Sequence, residues 1–499
     1  MFNNFHGFHL VEELHKRNLE RAAKRLNSKF FKILLAIAAT LTIWLLPAES
    51  FGMANLTVVE QRIIGVFVFA TLMWLMEAIP AWTTSLIVVV LLLFMVSTSA
   101  LTPFVAGYEA DQLGVILKYE DILHCFADPI IMLFIGGFIL AIAATKYGLD
   151  ATIARVLLKP FGTQSRFVLL GFIVVTGLFS AFISNTATAA MMLAFLAPVL
   201  KALPADGKGK IGLALSIPVA ANIGGMATPI GTPPNGIVLK YLEPMGLGMG
   251  FGEWIAFMGP ITIALLLISW VILLKLFPFK QKTIVLDIPD NSQKGWRTTL
   301  VYITFFATIL MWMFDKYLGV KTNAVAMFPV AVFCATGIID RRDLEQINWS
   351  VLWMVAGGFA LGVALNKSGL AAHMIDAIPF NTWSPLLVII GSGLVCYAMS
   401  NFISHTATAA LLVPILAVVG LSMTNELSGV GGVSTLLIGV ALCSSVAMVL
   451  PISTPPNALA HATGLIEQKS MMKVGLILGF ISMAIGYVLL IFLGSNGLI

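Results

Sequence analysis

Charge is what this 499-residue chain has least of: Asp, Glu, Lys and Arg make up 11% of it, while 59% is hydrophobic. An average soluble domain is roughly a quarter charged, and no water-soluble fold of this length could hide so much apolar surface. Cysteine is scarce as well. Cys125, Cys334, Cys396 and Cys443 have no metal-type spacing, which argues against a disulfide framework and against a zinc site. The ten-residue alternating segments of a membrane β-barrel are missing, because the apolar runs are continuous. The first 29 residues have no apolar core of a signal peptide. Instead they carry Lys16, Arg17, Arg21, Lys24, Arg25 and Lys29, which reads as a basic amphipathic helix lying on lipid at the inner membrane surface. The net charge of +5 follows from basic cytoplasmic loops and implies no nucleic-acid partner.

What is present is a series of apolar runs long enough to span a bilayer. Hydropathy predicts an all-α polytopic membrane protein with about eleven transmembrane helices, near 30–48, 57–78, 82–98, 129–150, 211–240, 254–277, 298–317, 323–340, 350–372, 432–467 and 472–495. The spans 211–240 and 432–467 are interrupted. Two further stretches, 165–202 and 383–422, are too long for one helix and have polar centres, so they read as re-entrant helical hairpins. Lys159, Arg166, Lys201, Lys208, Lys210, Lys280, Lys282, Lys294, Arg297, Arg341, Arg342, Lys469 and Lys473 fall in loops that share one side. That places the N-terminus in the cytoplasm and the C-terminus outside a cytoplasmic-type membrane. The first hairpin then opens inward and the second outward.

The chain repeats itself. Gly136-Gly137-Phe138 recurs as Gly357-Gly358-Phe359, and Ser184-Asn-Thr-Ala-Thr-Ala-Ala190 as Ser404-His-Thr-Ala-Thr-Ala-Ala410. Thr232-Pro-Pro-Asn235 recurs as Thr454-Pro-Pro-Asn457, all in one order at an offset of 220 to 222 residues. The threading places the copies in opposite orientations, so the repeat is inverted. Such repeats with broken helices hold substrate and coupling ion near the midplane and support alternating access. The expected parts are a cytoplasmic segment 1–29, scaffold 30–127, transport part 128–253, scaffold and central loop 254–348, a second transport part 349–471 and a last scaffold helix 472–499. The best matches are polar or helix-breaking residues inside apolar segments, not packing residues.

Ser180, Ser184, Asn185 and Thr186 mark the first hairpin tip, and Ser400, Ser404, His405 and Thr406 the second. Tips leave carbonyls and amides without intrahelical partners. Freed carbonyls with hydroxyl and carboxamide oxygens suit sodium, and freed amides at a helix N-terminus attract an anion. Pro233-Pro234 and Pro455-Pro456 break the interrupted spans, with Gly231 and Thr232 before the first break and Ser453 and Thr454 before the second. Gly224, Gly225 and Gly231 allow close backbone approach in the first copy, while Met448 to Leu450 make the second stiffer. The candidate site holds no Lys, Arg, Asp or Glu, so anion binding would depend on the co-bound cation. Lys146 and Lys367, each just before a glycine, read as structural residues at helix C-termini.

The two Ser-(Asn/His)-Thr tips, the two Thr-Pro-Pro-Asn breaks and Glu77-Ala-Ile-Pro80 resemble the divalent anion/sodium symporter family, the INDY-type di- and tricarboxylate transporters, from about residue 55 onward. The resemblance implies an elevator-type homodimer with a scaffold and a mobile transport domain, and no organic cofactor. It implies substrate contacts at Asn185, Thr186, Thr232, Thr406 and Thr454, to which Ser184, Ser404, His405 and Pro455 are added as candidates. It further implies one sodium site at Ser180, Ser184, Asn185 and Gly231, and a second at Ser400, Ser404, His405 and Ser453.

His405 departs from the family's asparagine. A neutral imidazole offers one nitrogen acceptor and no oxygen, which puts the second sodium site in question. Three readings stand: His405 donates to a substrate carboxylate, it titrates and links transport to protons, or it packs. The expected function is sodium-coupled transport of a di- or tricarboxylate such as succinate, malate, fumarate or citrate. The rivals are sodium-independent exchange of similar anions, sulfate transport, a channel, and a membrane enzyme built on Ser404 and His405, which lacks a carboxylate to orient the imidazole.

Overall fold

The structure is a computed structural model describing residues 28–53, 55–203, 207–284, 294–377 and 382–499. The helix expected over residues 1–29 lies almost wholly outside them. Among the described residues there are helices and two isolated β-bridges but no strand. Ten helices are long and apolar enough to cross a membrane, or up to eleven if a bent pair counts as one span. In chain order the principal helices of the first half are α1 (Ser28–Leu45), α2 (Val58–Met76), α3 (Ala81–Val96), α4 (Pro129–Lys146), α5 (Ser165–Phe182), α6 (Asn185–Ala202), α7 (Lys208–Gly224), α8 (Pro233–Leu242) and α9 (Phe251–Leu276). The second half contains α10 (Trp296–Met313), α11 (Met327–Ala335), α12 (Trp349–Lys367), α13 (Pro385–Ser400), α14 (His405–Ser422), α15 (Gly432–Ser445), α16 (Pro455–Ala462) and α17 (Gln468–Ser495).

Local chemistry explains where these helices start. Ser184 and Ser404 are the N-caps of α6 and α14, their hydroxyls accepting from the amides of Ala187 and Ala407. The Ser-(Asn/His)-Thr motif is therefore an N-cap followed by the first two helical residues. Both Pro-Pro pairs occupy the first turn of α8 and α16. A missing N–H goes unnoticed there, so the breaks lie before the prolines, between Gly224 and Pro233 and between Ser445 and Pro455. The interrupted helix α7 runs through the middle of the molecule, its apolar window 83% buried, whereas α1 at 11% is peripheral.

Two ion pairs express the repeat in three dimensions. Lys146 at the end of α4 reaches Asp343 in the loop before α12, 2.5 Å away. Lys367 at the end of α12 reaches Asp121 in the segment before α4, 2.7 Å away. Lys146 and Lys367 are equivalent at an offset of 221 residues, and each holds an aspartate that stands ahead of the other copy's helix. Reciprocal contacts of this kind are what a two-fold relation produces. Each lysine precedes a left-handed glycine, Gly148 (φ 66°) or Gly369 (φ 93°), which starts the short helix Leu149–Leu158 or Leu370–Ala377. The lysines are thus the structural residues expected, and they bind together the ends of α4 and α12.

The two pairs differ in burial. The Asp343 side chain is 7% exposed and that of Asp121 is 23%. Removing Lys146 leaves a nearly buried carboxylate without its counter-charge, held among the described residues only by the Asp340 N–H, so Lys146→Met is expected to cost ~1–3 kcal/mol. Lys367→Met should cost under ~1 kcal/mol, the range of a more solvated pair. Thermal unfolding of the two purified variants checks the order, and equal losses would contradict it.

Candidate functional site

In the first repeat the structure brings oxygens together. The Ser180 hydroxyl, fully buried, lies 2.6 Å from Asn185 Oδ1 and 2.7 Å from the Ala221 carbonyl at the end of α7. Gly225 and Gly231 close the other side. A Cβ on Gly225 would stand 2.7 Å from Asn185 Oδ1 and 3.0 Å from the Gly231 carbonyl, and one on Gly231 would stand 2.4 Å from the Gly225 carbonyl. Here the glycines are required by close approach. Hydroxyl, carboxamide and carbonyl oxygens with no acid among them form a neutral, hard-oxygen cradle. Ser184 is adjacent, but its hydroxyl caps Ala187. Thr186, the second residue of α6, is exposed, and Thr232 stands at the N-cap position of α8, 2% exposed and without a side-chain cap bond.

Braces hold the break. The Asn235 carboxamide donates to the carbonyls of Gly225, Met226 and Thr228. The equivalent Asn457 donates to those of Met448 and Leu450, at 2.9 and 3.0 Å. The asparagine of each Thr-Pro-Pro-Asn motif therefore satisfies carbonyls that the break exposes.

The second repeat is built differently. His405, 8% exposed, places Nε2 2.8 Å from the Ala447 carbonyl, and Ala447 is the equivalent of Gly225. A carbonyl only accepts, so Nε2 carries a hydrogen here and the carbonyl is occupied by an N–H. Ser453 Oγ donates to the Asn401 carbonyl at 2.9 Å and accepts from Leu450 N at 3.0 Å. In the first repeat Thr228 makes the equivalent bonds, to the Ala181 carbonyl and from Gly231 N. The brace hydroxyl has moved from one end of the turn to the other, so Ser453 is a brace where Gly231 is open backbone. Ser400 Oγ contacts Cys396 Sγ at 4.0 Å, and Ser404 Oγ caps Ala407 and reaches Met354 Sδ at 3.7 Å. Among the described residues no hydrogen bond joins any two of Ser400, Ser404, His405 and Ser453. Thr406 is buried, at 6% exposure, unlike exposed Thr186.

The sequence did not single out Asn222, Asn401 or the carbonyls of Ala221 and Ala447. Asn401 fills the second break with a side chain, accepting from Val449 N at 2.8 Å and donating to the Tyr397 carbonyl at 2.8 Å. Asn222 crosses between repeats: its Nδ2 lies 3.2 Å from both Thr454 Oγ1 and Asn457 Oδ1. A lone carboxamide within an apolar run was the available signal for both residues. His405 and Ser404 have separate partners and form no nucleophile–base pair.

Comparison with known proteins agrees with this architecture. A family profile described as citrate transporter, CitMHS, matches residues 71–430. The sodium-dependent dicarboxylate transporter SdcS of Staphylococcus aureus, strain USA300, is 31% identical over 482 residues, 87% of each chain. The protein of the same name from strain NCTC 8325 gives the same figures. Among solved structures, the YdaH transporter of Alcanivorax borkumensis superposes with a TM-score of 0.53 at 12% identity, over 76% of this chain and 88% of that one. MtrF of Neisseria gonorrhoeae gives 0.52 at 13%, over 82% and 94%. At these identities the two structures support the fold alone. With residues 71–430 matched by the family profile and a curated transporter aligned along 87% of its length, this chain is an integral membrane transporter, not an enzyme, and belongs to the citrate transporter and divalent anion/sodium symporter family.

Proposed function

We propose that the chain carries a dicarboxylate of the succinate, malate or fumarate class, or citrate, together with sodium. The observation that carries this reading is the acid-free oxygen cradle of Ser180, Asn185, Gly225 and Gly231, with Ala221 O. A neutral cradle gains positive charge only when a cation enters, and an adjacent anion is then held by that charge and by the α6 N-terminus. Anion affinity thereby depends on sodium, which is the physical basis of symport. The name of the Staphylococcus aureus relative supports both ligands. Asn185, Thr186, Thr232, Thr406 and Thr454 are the proposed anion contacts.

The second sodium site is the weaker half. The His405 N–H already fills the place against the Ala447 carbonyl where a cation would sit, and Ser453 is spent on the turn. We therefore assign one sodium to the first repeat and let the imidazole N–H stand in for the second. With Nε2 on the carbonyl, only the imidazolium form could also donate from Nδ1 to substrate. A second reading follows from the same observation. If the N–H substitutes for sodium in function as well as position, exchange of dicarboxylates without sodium results.

The movement is proposed to be an elevator. The parts 128–253 and 349–471 travel against the scaffold 30–127, 254–348 and 472–499, within a homodimer whose N-termini face the cytoplasm. Thermal stability tests the ligand assignment. Succinate in sodium should raise the apparent melting temperature, by ~2.7 kcal/mol of mass action at 100-fold excess over Kd, and in choline it should not. Sulfate competing with succinate would favour a tetrahedral dianion instead. Stabilisation by succinate in choline equal to that in sodium would sink sodium coupling.

A further inference from the structure

Asn222 joins the two repeats at the place where their breaks meet. It belongs to α7 in the first copy and is 1% exposed, and both partners of its Nδ2, Thr454 Oγ1 and Asn457 Oδ1, belong to the second. The orientation of the amide is dictated by its neighbour. Asn457 donates its own Nδ2 to the Met448 and Leu450 carbonyls, so its Oδ1 must face Asn222, and only an NH2 group can meet it.

The consequence falls on Thr454. Its hydroxyl oxygen accepts from Asn222 Nδ2 and from the Asn457 backbone N–H, each at 3.2 Å. A hydroxyl has two lone pairs and one hydrogen. With both lone pairs taken, Thr454 has no electrons to offer a cation and keeps only its hydrogen to give. Thr232 in the first repeat has no such lock, its side chain making no cap bond. The equivalent of Asn222 is Ser444, which turns its hydroxyl back to the Ala441 carbonyl at 3.0 Å.

We infer that Asn222 is a positioning residue that makes Thr454 an obligate hydrogen-bond donor, so that the second repeat presents a donor to a carboxylate of the transported anion and is closed to sodium at that hydroxyl. This rests on the proposed dicarboxylate reading and sharpens it: the two threonines of the repeat differ in role. Among the described residues Asn222 Oδ1 is buried without a hydrogen-bond partner, so the carboxamide is not there to satisfy its own packing.

The test is a double-mutant cycle on succinate affinity, read by sodium-dependent thermal stabilisation of the purified full-length transporter. Asn222→Ala and Thr454→Val should each weaken succinate by about tenfold, the loss of one hydrogen bond to a charged group, and the double variant should be no weaker than either. Stabilisation by sodium alone, measured without succinate so that linkage between the two ligands does not enter, should keep its midpoint in Asn222→Ala, which a merely structural disturbance of the core would not spare. Should Asn222→Ala fail to assemble, Asn222→Leu preserves the volume while removing the donor, and the same cycle applies. Equal further weakening by the Asn222 change in the Thr454→Val background, or no effect in either, overturns the inference while leaving dicarboxylate transport standing. A wild-type protein that succinate does not stabilise in sodium overturns both.

Discussion

Replacing Gly225 with alanine is expected to weaken the apparent sodium affinity of uptake by up to about 100-fold while leaving the fold assembled. The added methyl would stand 2.7 Å from Asn185 Oδ1 and 3.0 Å from the Gly231 carbonyl, two oxygens of the cradle. Retreat is blocked on the other side, because a Cβ on neighbouring Gly224 would already lie 2.3 Å from the Gly177 carbonyl. The methyl must therefore displace the cradle oxygens themselves. Overpacking of this kind costs ~1–3 kcal/mol, and at the upper end that amounts to a loss on the order of 100-fold in apparent sodium affinity. The molecule carries its own control, since the equivalent position in the second repeat is Ala447, which has its methyl and no oxygen cradle. Ala447→Gly should change sodium dependence little. A sodium titration of succinate uptake on both variants, with size-exclusion profiles for assembly, decides the matter; an unchanged midpoint in Gly225→Ala would remove the cradle from the account.

The second large effect is expected from His405→Asn. It removes the N–H directed at the Ala447 carbonyl and installs the carboxamide found at the equivalent Asn185. The carbonyl and a new Oδ1 are then both acceptors facing one space, which favours a cation there. The sodium dependence of uptake should steepen, its Hill slope rising from near that of one bound ion toward that of two, and any pH dependence contributed by the imidazole should vanish. Expression and assembly should be little affected, because asparagine is smaller than histidine and Asn401 and Ser453 brace the break independently. The same slope and the same pH profile in the variant would show that His405 only packs.

Much of this was legible in the sequence because it is written twice. The tips and breaks recur at one offset, and helices begin at Asn185, Pro233, His405 and Pro455 as those motifs require. The spans expected at 57–78, 129–150 and 254–277 appear as α2, α4 and α9 within a few residues. Less legible were the ends set by neighbours: the span expected at 323–340 is the shorter α11, and a left-handed Gly337 follows it. Within the site, residue types foretold that Ser180 and Asn185 would meet, while Ser184 is taken up as the cap of Ala187. Residue types could not carry the second sodium set, because whether Ser453 braces a turn or faces an ion depends on where Thr228 was replaced by Leu450. Carbonyls of Ala221 and Ala447 have no signature in a sequence at all. The partner of Asn222 lies 232 residues away, beyond any local pattern.

Whether an acid-free cradle makes anion transport depend on sodium is decided by uptake of labelled succinate into proteoliposomes with sodium or choline outside. Saturable uptake that requires sodium, with a slope near that of a single bound ion, is the expected result. Equal uptake in choline would contradict it and leave exchange through the His405 arrangement as the reading to pursue.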